Sequence, residues 1–178
     1  MRELKKALRR ELIERRRGLV PEEKALRDKD IFMQLMPLVQ RADVVFTYVS
    51  TEIEVDTRLL MSHCFAMGIP VAVPVSGDTE LDFFFIRSFG ELSEGRYGIM
   101  EPVCRTNAAV PTGRSLCVVP ALCADGSGLR LGYGKGYYDR YLSGFPGTSV
   151  IICYSDFRRE VPAEPHDRRA DITIFDRV

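Results

Sequence analysis

The chain has 178 residues, 46% of them apolar and 28% charged, with 25 Lys and Arg set against 25 Asp and Glu. Zero net charge supplies no overall field to draw it to nucleic acid or a membrane surface, and no apolar run has the length of a bilayer-spanning helix. One domain over residues 1–178 is expected, in a reducing cytoplasm: the five cysteines include no Cys-x-x-Cys pair or Cys/His cluster and read as buried free thiols, not as a zinc site or a disulfide framework.

Residues 3–17 read as a helix, because Leu4, Leu8 and Leu12 recur every fourth position with Ala7 beside them. Residues 1–17 also carry eight cations against three acids, and those acids, with no apolar core segment, argue against a targeting peptide. Lys5 and Arg9 stand one turn apart at the border of the leucine stripe, where they either face water or reach across it into a cleft. Lys6, Arg10 and Arg15–Arg17 read as surface.

Pro21-Glu22-Glu23 opens a second helix, expected to run to about residue 35 with Pro37 disturbing its last turn. Residues 44–49 are a continuous apolar run rich in β-branched side chains, which suits a strand covered on both faces. A helix over about 57–67 follows, capped by Asp56 or Thr57 and ended by Gly68. Strands are expected at 69–75 and 81–86, then an excursion punctuated by Gly90, Gly95, Gly98 and Pro102. Further strands fall at 116–120, 148–154 and 172–175, with a helix over about 136–142. This alternation predicts the α/β class: a layered, mostly parallel sheet with helices on both faces. In such sheets ligands sit beyond the carboxyl ends of the strands.

The strand at 116–120 leads into Gly128-Leu129-Arg130-Leu131-Gly132-Tyr133-Gly134-Lys135-Gly136-Tyr137-Tyr138-Asp139. Glycine at alternate positions bares the backbone, so its N–H groups can turn toward one anion. Arg130 and Lys135 add positive charge, and Asp139 offers an oxygen to a hard divalent cation. Together they suit a nucleoside triphosphate with its metal. A glycine-rich hairpin without ligand is the weaker reading, since glycines at this density cost backbone entropy with no packing return. Known phosphate loops do not fit. Leu129 stands where the Walker pattern needs its first glycine, and a single residue separates Gly134 from Gly136 where the dinucleotide fingerprint needs two.

As a whole the segment resembles the signature of the 5-formyltetrahydrofolate cyclo-ligase family, a strand and Asp-containing turn followed by Gly-x-Arg-Leu-Gly-x-Gly-x-Gly-Tyr-Tyr-Asp. The likeness runs from Lys5 to about Thr173, specific over 115–141 and loose over 76–114. It implies a fold like that of NagB, RpiA and the CoA transferases. It also implies ATP-dependent cyclisation of 5-formyltetrahydrofolate to 5,10-methenyltetrahydrofolate with Mg²⁺, releasing ADP and phosphate. Lys5-Lys6-Ala7-Leu8-Arg9 is similar to the family's opening motif, which assigns Lys5 and Arg9 to the ATP phosphates. Around ATP the resemblance further places Arg130, Leu131, Gly132, Tyr133, Gly134, Lys135, Gly136, Tyr137 and Tyr138, those from Tyr133 onward also meeting the folate. Arg130 and Lys135 would be catalytic as stabilisers of developing charge.

Glu54, within Glu52-Ile53-Glu54-Val55-Asp56-Thr57, resembles the family's folate-binding glutamate; a carboxylate can accept the paired N–H donors of a pterin. Glu52 is the alternative register. Asp139 and Asp171 would hold Mg²⁺, although Asp171 also suits a strand-opening role paired with Arg168 or Arg169. Of Tyr137 and Tyr138, one is expected in the core and the other in the folate pocket, and His166 reads as a turn residue. The chain departs from the family pattern at Ala121, Ala124 and Phe157, which bear on the folate pocket. A monomer acting on small molecules, without nucleic-acid or membrane partners, is expected. A folate-binding protein without turnover and an ATP-dependent kinase or ligase for another small substrate are the alternatives.

Overall fold

The computed structural model describes residues 1–95 and 98–178. Among the described residues, four α-helices, α1 (Arg2–Arg17), α2 (Pro21–Val39), α3 (Arg58–Met67) and α4 (Tyr137–Leu142), accompany ten strands. Six of these form the main sheet: β1 (Val45–Thr47), β2 (Val71–Ser76), β3 (Leu81–Ile86), β6 (Leu116–Pro120), β9 (Thr148–Cys153) and β10 (Ile172–Phe175). They lie in the order β10-β9-β6-β1-β2-β3, and every pairing is parallel except β2 with β3. That pair is antiparallel because it is joined by a tight turn, in which the Gly77 N–H donates to Glu80 O at 2.9 Å; so short a connection cannot make a parallel crossover.

Two small hairpins complete the set, β4 (Leu92–Glu94) with β5 (Met100–Pro102) and β7 (Cys123–Ala124) with β8 (Arg130–Leu131). The sequence pattern showed neither, since strands of two or three residues are too short for periodicity. Among the described residues no helix is long and apolar enough to cross a membrane.

The core strands are covered on both faces, and Val118, Val119, Val150 and Ile151 are wholly buried. α2 and α3 pack together on one face. On the other, α4 brings Tyr141 against Phe46 and Phe83, with ring centroids 6.4 and 4.6 Å apart, and Phe145 closes the aromatic cluster. α2 runs four residues past its expected end, through Pro37. The missing proline N–H costs one bond near the terminus, while fully buried Val39 keeps the last turn on the core. β1 is shorter than expected. After Thr47 the chain leaves the ladder, and Tyr48 O accepts the Thr57 hydroxyl at 2.7 Å instead.

α1 carries the largest correction. Leu4 is exposed and the buried side chains are Lys5, Leu12 and Arg16, with Arg9 half-buried on the same stripe. The helix turns a mixed cationic face inward, because each buried cation finds oxygen acceptors there.

Strand order positions the site. From β1 the chain crosses to β2 on one side, while β6, β9 and β10 extend the sheet on the other. Connections leaving β1 and β6 therefore diverge, opening a crevice beyond Thr47 and Pro120, the position at which α/β sheets bind ligands. The Glu54 loop follows β1, and the glycine segment follows β6.

Candidate active site

Arg16 bolts the crevice together. Its Nε donates to Leu122 O at 3.2 Å, Nη1 to Ile53 O at 3.0 Å and Nη2 to Ala121 O at 2.7 Å. Its guanidinium also stacks 4.6 Å from the Phe157 ring and 5.4 Å from that of Tyr154. One side chain of α1 thus ties the Glu54 loop to the corner after β6. A surface role for Arg16 is overturned, since the side chain is almost fully buried. Spacing held the clue: positions 5, 9, 12 and 16 share a helical stripe, but three are cations, and apolar periodicity discounts them.

Arg9, about two turns nearer the start, reaches the glycine segment. Its Nε donates to Gly132 O at 2.8 Å, and its guanidinium lies over Gly134 so closely that a Cβ there would stand 2.8 Å from Cζ. Gly134 has φ of +93°, a left-handed conformation that favours glycine. Gly136, also at positive φ, is the N-cap of α4, so the bare segment runs directly into a helix start. Tyr133, Gly134 and Lys135 form the exposed outer rim, and the Lys135 carbonyl accepts Arg140 Nη2 at 2.8 Å.

The same segment touches the Glu54 loop. Buried Glu54 accepts the Thr51 N–H at 2.8 Å and the Thr51 hydroxyl at 2.9 Å through Oε2. Tyr133 is exposed over much of its ring, but its hydroxyl end faces this carboxylate, and desolvation of that end together with the negative charge raises its pKa. Glu52, in the alternative register, is exposed. Tyr137 donates to Gly77 O at 2.9 Å across to the β2–β3 turn, whereas the Tyr138 hydroxyl is buried with no partner. Of the adjacent pair, Tyr138 is therefore the one whose polar end lacks a protein partner, as is also true of Tyr141.

Arg130, buried on β8, donates through Nη2 to Asp139 Oδ1 at 3.1 Å and through Nη1 to Arg168 O at 3.0 Å. Asp139 Oδ1 also accepts the Arg168 N–H. Asp171 is engaged elsewhere: Oδ2 accepts both the N–H and the hydroxyl of Ser149 at 2.7 Å. The partner expected for Asp171 among Arg168 and Arg169 is replaced by Ser149 at the start of β9. Leu131, buried, carries no functional group into the site and pairs with Cys123.

Lys5 is buried between Glu164, at 2.8 Å, and Asp167, at 2.7 Å. Burial alone would lower the pKa of its ammonium, but hydrogen bonds to both carboxylates outweigh that and raise it. Glu164, His166 and Asp167 are, among the described residues, the one cluster of three ligand atoms close enough to share a metal, and the Lys5 ammonium already bridges its two acids. Glu164 and Asp167 went unrecognised in the sequence, where nothing marks acids 160 residues away as partners of an N-terminal lysine. The three departures from the family pattern, Ala121, Ala124 and Phe157, are all buried, and Ala121 and Phe157 contact Arg16. Four of the five cysteines are buried; Cys104 is exposed.

Comparison with known proteins bears on the family and the fold. Residues 1–176 match the sequence model of the 5-formyltetrahydrofolate cyclo-ligase family. The 5-formyltetrahydrofolate cyclo-ligase of Escherichia coli K12 is 32% identical over 136 residues, covering 72% of this chain and 74% of that protein. Its namesake from Mus musculus is 27% identical over 190 residues, covering 97% and 93%. The solved structure of Aquifex aeolicus 5,10-methenyltetrahydrofolate synthetase superposes with a TM-score of 0.85 at 28% identity, over 98% of this chain and 91% of that one. With a match over nearly its whole length and a shared sheet architecture, the chain belongs to the 5-formyltetrahydrofolate cyclo-ligase family.

Proposed function

We propose that the protein cyclises 5-formyltetrahydrofolate to 5,10-methenyltetrahydrofolate at the expense of ATP, releasing ADP and phosphate. One observation carries the reading: the bare segment 132–136 is clasped by Arg9 at Gly132 and meets the Glu54 carboxylate through Tyr133. A triphosphate in the cradle and a pterin on Glu54 are thereby neighbours.

The chemistry asks for positioning and charge neutralisation. The formyl oxygen attacks the γ-phosphorus and ADP departs. The formyl carbon, now bearing a phosphate leaving group, is attacked by N10; phosphate leaves with the former formyl oxygen, and N10 gives up its proton to water. Backbone N–H groups of 132–136 and the start of α4 hold the phosphates. Arg9, Arg130 and Lys135 offset charge as it moves from the γ-phosphoryl group to ADP. Glu54 accepts the pterin N–H pair, and Tyr138 offers its unpartnered hydroxyl to the folate.

Mg²⁺ arriving with ATP would spread the phosphate charge, and the donor set fits a hard cation. Asp139, bonded to Arg130 through Oδ1, and Asp171, bonded to Ser149 through Oδ2, are the carboxylates that would hold the ion. Lys5 reaches phosphate only by exchanging Glu164 and Asp167 for it. The buried changes at Ala121, Ala124 and Phe157 remove no charged group from the cradle and do not favour a protein without turnover. The test is the near-ultraviolet absorbance of the methenyl product with MgATP. Its absence at micromolar enzyme in a folded sample, with no ADP formed, would refute the activity.

A further inference from the structure

α1 ends in three arginines that the fold treats differently. Arg16 is buried against carbonyls, and Arg15 Nη2 lies 3.4 Å from Asp156 O. Arg17 instead lines a cleft of about 450 Å³ whose other walls include Val49, Thr51, Ile53, Ile99 and Met100. Its size is that of a small-molecule site. The cleft adjoins the pterin carboxylate, because Thr51 donates to Glu54 through both N and Oγ1. Its lining joins these apolar side chains to the polar turn Ser50, Thr51 and Glu52, and Arg17 is its one cation among the described residues, set against the single acid Glu52.

The Arg17 side chain is 63% exposed and pairs with Glu14 one turn back at 2.5 Å. An exposed (i, i+3) pair of this kind is weak, so a better-placed anion displaces it at little cost. A folate extends from its pterin through a flat aminobenzoyl ring to a glutamate with two carboxylates. With the pterin on Glu54, the aliphatic walls suit the ring, and the tail leaves past Arg17. A guanidinium recognises a carboxylate in bidentate fashion. Resting on the activity proposed above, we propose that Arg17 binds the glutamyl carboxylates of the substrate and so distinguishes a glutamylated folate from its pteroate.

The experiment compares wild type with Arg17→Gln on two substrates, 5-formyltetrahydrofolate and 5-formyltetrahydropteroate, which lacks the glutamate. Turnover gives KM, and calorimetric titration without ATP gives Kd. The variant should raise KM and Kd for the glutamylated substrate on the order of tenfold, the scale of one charge-assisted pair at a partly exposed position. The pteroate values should move less than twofold, which a general loss of structure would not reproduce. An equal shift on both substrates, or none on either, overturns the role of Arg17. If wild type turns over neither substrate, the activity reading falls by itself, and the ratio of the two Kd values still decides Arg17.

Discussion

Replacing Gly134 by alanine perturbs the cradle without touching a charged group. At φ of +93° the added Cβ would stand 2.8 Å from Arg9 Cζ and 3.1 Å from Nε and Nη1. A side chain in left-handed backbone costs roughly 1–2 kcal/mol. The guanidinium must also swing away, breaking the 2.8 Å bond from Nε to Gly132 O. A hydrogen bond to a charged group is worth about 1.5–3 kcal/mol, and partial exposure argues for the lower end. The two costs together, about 2.5–3.5 kcal/mol, should lower the melting temperature by roughly 5–14 °C, at about 2–4 °C per kcal/mol for a chain of this size. Losing Arg9 from the phosphates should raise KM for ATP about tenfold, the equivalent of roughly 1.4 kcal/mol. Methenyl absorbance against ATP concentration measures it, with Gly144→Ala, which meets no atom within 4 Å, as the control. Arg9→Ala added to Gly134→Ala should then change KM little, since both act through one guanidinium. A lowered melting temperature with KM for ATP within twofold of wild type would refute the link between Arg9 and phosphate.

Three further outcomes are expected. Asp139→Asn keeps the shape but weakens the carboxylate bonded to Arg130, and should cut kcat by about 10²–10³-fold with the urea midpoint nearly unchanged; an unaltered kcat would remove Asp139 from the metal and from catalysis. Arg16→Met leaves Ala121 O, Leu122 O and Ile53 O buried without their donor, and should cost about 3 kcal/mol in urea unfolding, whereas a loss under 1 kcal/mol would contradict the bolt. For pH, burial alone would raise the carboxyls of Asp56, Asp125 and Asp167, but hydrogen bonds outweigh it and hold all three below their ordinary 3.8. The folded state thus binds fewer of these protons than the unfolded chain, so their stabilisation is present above the unfolded value and is lost as pH falls through the folded ones. Lys5, held above 10.5, contributes stability below that pH and loses it as pH rises through its folded value. The urea midpoint should accordingly fall on both sides of a broad plateau, and Lys5→Met should flatten the alkaline side. An unchanged alkaline loss in that variant would contradict the assignment.

What could be seen in the chain alone was whatever depends on neighbours in sequence. Leu116–Pro120 and Ile172–Phe175 match their strands residue for residue, because apolar runs between turn residues need no distant partner to be recognised. The glycine segment showed a bare turn running into a helix from its alternate glycines alone, and Gly134 and Gly136 do stand at positive φ before α4. Contacts across the fold decided the rest. Which face of α1 turns inward depends on carbonyls at 53, 121 and 122 and on acids at 164 and 167, all remote from the helix, so two cations, Lys5 and Arg16, are buried where the leucines suggested an apolar seam. Likewise Asp171 settles on Ser149 and not on a nearby arginine, because parallel pairing of β10 with β9 brings that serine's N–H and hydroxyl to it. Local pattern names the elements, whereas the partners of a buried charge are fixed only when the sheet order has brought distant acceptors within about 3 Å.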